Sequence, residues 1–121
     1  MSLEIKRVYD PLNNDDGKRI LIDGIWPRGV SRDKVDMWLK EIAPSSELRQ
    51  WYNHDPEKFE EFKKRYATEL CNNKKFFELK SEIEKEKVTL LYATKNYNLS
   101  NAFILYSFLT GIDNINKWCK N

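Results

Sequence analysis

The sequence predicts an α/β fold: a small, mostly parallel sheet flanked by helices in three layers, forming one domain over residues 1–121. Three observations carry that reading. Two nearly continuous apolar runs, residues 19–25 and 88–93, have the pattern of strands covered on both faces. The chain between them turns to helical periodicity, with Phe59, Phe62, Tyr66 and Leu70 on one face. A composition of 40% hydrophobic and 33% charged residues is that of an ordinary folded protein, long enough at 121 residues for one core.

Residues 4–9 alternate Ile5, Arg7 and Tyr9 against Lys6 and Val8, the period of a half-buried or edge strand, and Asp10 to Gly17 end it with turn-forming residues. Only about eight or nine residues join this strand to the next, which is short for a parallel crossover and leaves an antiparallel start open. Residues 35–42 fit two elements. Val35, Trp38, Leu39 and Ile42 make a helical stripe, while Met37-Trp38-Leu39 is short enough for a strand. Ser31 and Ser45 read as caps of the segments that begin just after them.

At His54-Asp55-Pro56-Glu57 a cap acceptor, a proline at the first helical position and an early acidic residue announce a helix. A second helix is expected over residues 76–86 with Phe76, Leu79 and Ile83 inward. A third runs from Ser100 to Gly111, which is placed to close it. In the tail, residues 112–121, Ile115 and Trp118 are expected to pack back onto the domain.

Charge and cysteine content exclude several functions. Lys and Arg number 21 against 19 acidic residues, and a net charge of +2 argues against a nucleic-acid partner held by long-range attraction. The cluster Lys63-Lys64-Arg65, with Lys74 and Lys75, is interleaved with Glu60, Glu61, Glu69 and Glu78 and reads as a solvated helix face. No apolar run approaches the roughly 20 residues of a membrane span, and no leader pattern opens the chain, so a cytoplasmic protein without a membrane partner is expected. Cys71 and Cys119 lie in no metal-ligand spacing and have one histidine for company. They read as bystander thiols, with no zinc site, no disulfide scaffold and no cofactor expected.

The chemistry concentrates after the two central strands, because ligands of open α/β sheets bind beyond the carboxyl ends of the strands. After the first of them come Asp23, Trp26, Arg28 and Gly29; after the last come Tyr92, Thr94, Lys95, Asn96 and Asn101. Arg28 offers a planar fork for phosphate or carboxylate, Lys95 a point charge, and the helix opening near Ser100 a partial positive charge. Trp26 and Tyr92 are expected to wall the pocket. Asp23 orients Arg28, serves as a base or starts a turn. His54, the single histidine, is the preferred general acid or base if chemistry occurs.

At these residues the chain resembles the YeaO-like proteins, small bacterial domains of unassigned function. The resemblance runs from Arg7-Val8-Tyr9-Asp10-Pro11 through Asp23, Trp26-Pro27-Arg28-Gly29 and Trp38-Leu39-Lys40-Glu41-Ile42-Ala43-Pro44-Ser45. It continues through Leu48-Arg49, His54-Asp55-Pro56, Phe62, Tyr66, Glu69-Leu70 and Leu90-Leu91-Tyr92-Ala93. It implies a single α/β domain with a polar cluster at the strand ends, and no particular reaction, cofactor or substrate. Members of that family usually carry arginine where this chain has Gly24, aspartate where it has Asn96, and a His-Asn pair where it has Leu99-Ser100. These departures weaken a catalytic role and favour a form that binds without turnover.

The expectation is therefore a protein that binds an anionic small molecule, phosphorylated or carboxylated, with turnover left open. The rival is an interaction or regulatory module using Trp38, Trp51-Tyr52 and Trp118 as an exposed patch. Monomer and homo-oligomer both stay open.

Overall fold

A computed structural model describes residues 2–119. Four strands, β1 (Leu3–Arg7), β2 (Lys18–Leu21), β3 (Met37–Trp38) and β4 (Val88–Tyr92), form one sheet in the order β1-β4-β2-β3. Every strand pair is parallel, which removes the possibility of an antiparallel start. The short link between β1 and β2 succeeds as a crossover because it returns as extended chain and 3₁₀ turn across β4. There the Thr89 hydroxyl donates to the Asp16 carbonyl at 2.6 Å.

The four helices are α1 (Ser46–Tyr52), α2 (Phe59–Cys71), α3 (Lys74–Glu82) and α4 (Asn101–Thr110). Their starts follow local chemistry. The Ser45, Asn73 and Ser100 side chains accept from the Leu48, Lys75 and Phe103 amides, and Asp55 accepts from Glu57 N at the 3₁₀ turn leading into α2. Ser31, by contrast, makes no cap bond to the backbone; its hydroxyl donates to Asp33. Residues 35–42 resolve into the two-residue β3 followed by a 3₁₀ turn, Lys40–Ile42.

Side-chain alternation divides the central strands between two cores. Ile20, Ile22, Val88 and Leu90 face the helices and join Phe62, Tyr66, Leu70, Phe76 and Phe108 in the larger one. Leu21 and Leu91 point the other way and join Val8 and Val30, with Trp26, Val35, Trp38 and Ala93 packed against them. The third layer is thus irregular chain of residues 26–36, in which Pro27, Gly29 and a single 3₁₀ turn, Arg32–Lys34, leave no room for a regular helix.

The cysteines correct the sequence reading. Cys71, at the end of α2, and Cys119 form a disulfide with their Cα atoms 5.4 Å apart. The tail folds back along α2, where Asp113 pairs with Lys63 at 2.8 Å and Ile115 enters the core. That return across 48 residues brings together two thiols whose spacing carries no signal. Lys120 and Asn121, the end of the predicted tail, lie outside the described residues. Among those described, no helix is long and apolar enough to cross a membrane.

Candidate functional site

Because the strands are parallel, the loops leaving β1, β2 and β4 gather on one edge of the sheet. They meet α1, α4 and the α1–α2 turn around a cleft of ≈ 770 Å³, within the roughly 300–1,000 Å³ typical of small-molecule sites. Asp23, Trp26, Arg28, Gly29, His54 and Asn101 all line it. Tyr92 and Lys95, expected beside them, do not. Tyr92 is buried on the helix side of β4 with its ring 5.2 Å from Tyr97, and Lys95 is exposed on the following turn.

The loop after β2 is clamped by two indole N–H groups and one phenol hydroxyl. The Trp38 indole donates to Asp23 O at 2.7 Å, the Trp26 indole to Val30 O at 2.9 Å, and the Tyr9 hydroxyl to Arg28 O at 2.9 Å. Gly29 allows the reversal at φ 77°. Arg7 holds the other loop from behind, its guanidinium donating to Ala93 O at 2.6 Å and Thr94 O at 3.1 Å. With its backbone so fixed, Arg28 presents an exposed guanidinium that pairs with no carboxylate among the described residues.

Arg49 on α1 is a charged lining residue that sequence reasoning missed. It donates to Pro44 O at 2.7 Å and to Ser46 Oγ at 3.2 Å, and it rests on Gly24 so closely that a Cβ there would lie 2.0 Å from one guanidinium nitrogen. Glycine at 24 is what lets this guanidinium enter. The signals in the sequence are the Leu48-Arg49 pair shared with the YeaO-like proteins and the glycine at 24 where that family carries arginine.

Asp23 sits at the floor, accepting from Ala93 N at 2.9 Å. Burial pushes its pKa above the usual carboxylate value, against the Ala93 amide, the Asn101 side chain and the Arg49 charge, which all favour ionisation. The walls are aromatic and rigid. Tyr52 stacks on Phe62 at 3.9 Å and donates its hydroxyl to Leu99 O at 2.7 Å. His54 is exposed at the rim, where Asn53 and His54 take successive left-handed conformations, φ 45° and 57°, to turn α1 toward α2. Of the rings considered for an exposed patch, Tyr52 is core and Trp51 is covered by Arg65 at 4.2 Å. Trp38 and Trp118 pack against the two cores.

Residues 2–116 match the model of a family described as the inactive DUF488-N3 subclade. The chain belongs to this subclade. It is 41% identical over 111 residues to the uncharacterised protein Rv3073c of Mycobacterium tuberculosis, covering 90% of this chain and 94% of the relative. The uncharacterised YeaO of Escherichia coli is 36% identical over 115 residues, 93% of this chain and 100% of the relative. The YeaO-like resemblance thus holds across nearly the whole DUF488-N3 domain. No solved structure matches the chain.

Proposed function

We propose that this DUF488-N3 domain binds a phosphate- or carboxylate-bearing small molecule at the carboxyl ends of β2 and β4, and does so without turning it over. The observation that carries the reading is that Arg28 and Arg49, neither ion-paired among the described residues, line one cleft with the first residues of α4. Guanidinium forks and a helix N-terminus both favour anions. A role in binding alone is supported by the family's description as inactive. It is supported also by the exposure of His54, which leaves the one histidine at the rim instead of the floor.

Calorimetric titration with inorganic phosphate, nucleotides and dicarboxylates tests it. Affinity for the best of these should fall about tenfold or more in Arg28→Ala, the scale of a lost hydrogen bond to a charged group. Binders whose affinities are all indifferent to that change would end the reading.

A further inference from the structure

The cleft floor holds a more specific pattern than a positive patch. Arg49 is pinned by Pro44 O and Ser46 Oγ and lodged on Gly24, and its remaining N–H groups have no partner among the described residues. It is near enough to Asp23 to favour that carboxylate's charged form, yet no ion pair joins them. The carboxylate keeps one oxygen on Ala93 N, with the Asn101 side chain beside it. A donor fork and an acceptor thus line one cleft with no ion pair between them. Their charges cancel, so a dianionic phosphate placed there would meet the Asp23 charge as well as the Arg49 cation. A group that is itself an acceptor beside a donor meets complementary partners at both.

We propose that this floor selects a carboxylate bearing a hydroxyl or ammonium on the adjacent carbon, carried on an apolar, ring-sized body. The inference rests on the anion-binding reading and assigns its inner contact to Arg49 instead of Arg28. The ligand carboxylate takes the Arg49 fork, its neighbouring O–H or N–H donates to Asp23, and the body lies against Trp26, Tyr52 and Phe62. Gly24 sets the specificity indirectly, because any side chain there displaces the guanidinium. Arg28, exposed at the mouth, adds attraction without reading the donor.

Calorimetry on the full chain with phenyllactate, phenylalanine and phenylpropanoate separates the contributions. Phenyllactate or phenylalanine should bind about tenfold or more tightly than phenylpropanoate, which lacks the donor, and which of the two leads shows whether hydroxyl or ammonium is preferred. Asp23→Asn should bring both down to phenylpropanoate. Gly24→Ala and Arg49→Lys should each weaken all three about tenfold. The second keeps the charge and the helix, so it carries the test if the alanine variant fails to fold by circular dichroism. Equal affinity for the three acids, or full affinity in Arg49→Lys, overturns the inference. If inorganic phosphate then still binds in an Arg28-dependent way, the broader reading survives. Binding of phosphate with no binding of the acids has the same meaning, and binding of neither overturns both.

Discussion

β2 carries an aspartate just beyond each end, and the two ends treat it in opposite ways. At the amino end Asp16 is closed in. It accepts from Asn13 N at 3.1 Å and Lys6 Nζ at 3.1 Å, it pairs with Arg19, and both the Asp16 and Arg19 side chains are only 4% exposed. Burial works to raise its pKa, but the Asn13 amide and the Lys6 and Arg19 cations outweigh that, and the net shift is downward. At the carboxyl end burial pushes the Asp23 pKa up and wins over the Ala93 amide, the Asn101 side chain and the charge of an arginine that forms no ion pair with it. The same residue types make structure where they bond each other. They make a candidate site where they line one cleft without bonding each other.

The largest effect expected is at the closed end. Asp16→Ala leaves Arg19 and Lys6 without their carboxylate in a region where one Arg19 nitrogen is already buried and unbonded. Urea unfolding should show a loss of about 3–5 kcal/mol, as for other broken buried pairs. Replacing Asp16 and Arg19 together by leucine and methionine should cost less than Asp16→Ala. The opposite order would mean the ion pair itself stabilises the fold. Next in size is the Cys71–Cys119 disulfide, far from Asp16 in sequence and not among the residues lining the cleft. Cys119→Ser should cost about 2–4 kcal/mol while leaving any ligand affinity unchanged, read by unfolding and titration on one preparation. A changed affinity would tie the tail to the cleft.

How much of this contrast the sequence disclosed depends on the reach of each signal. The Asp55-Pro56 helix start and the Gly111 stop are local and legible, and the apolar run opening at residue 19 marks β2 as central, although the strand ends at Leu21 and Ile25, the end of the run, is exposed in the following loop. The placement of β4 between β1 and β2 is not, since pairing is set by packing across more than 60 residues. In the site, residues that leave a strand end directly, such as Asp23 and Arg28, were readable from their position. Tyr92 and Lys95 turned on strand parity and loop direction. Arg49 comes from a helix elsewhere in the chain and reaches the cleft only because Gly24 leaves room for its guanidinium. Asp16 carries no local signal, because turn aspartates are common and its partners come from β1 and β2 together.

A smaller effect on stability, and a larger one on binding, is expected at the open end. Arg28 is exposed and unpaired among the described residues, so Arg28→Ala should change unfolding free energy by no more than about 0.5 kcal/mol even though it weakens anion binding. A stability loss comparable to that of Asp16→Ala would make Arg28 a structural residue and remove the distinction between the two ends.

The finest test compares the two carboxylates by pH. Asp16 has a folded pKa below the ordinary carboxylate value of about 3.9. It therefore contributes stability that is full above that value and is lost as pH falls through the folded pKa. Asp23 has a folded pKa above it, so the folded state holds that proton longer than the unfolded chain does. Its contribution is greatest below the ordinary value and declines as pH rises through the folded pKa. As pH rises from below to above the ordinary carboxylate value of about 3.9, the stability of the parent relative to Asp16→Asn should rise. The stability of the parent relative to Asp23→Asn should fall. Urea midpoints for the three proteins at several pH values measure both slopes. Slopes of the same sign would mean that Asp23 is bonded as fully as Asp16, and the cleft floor would then have no unmet partner for a ligand to satisfy.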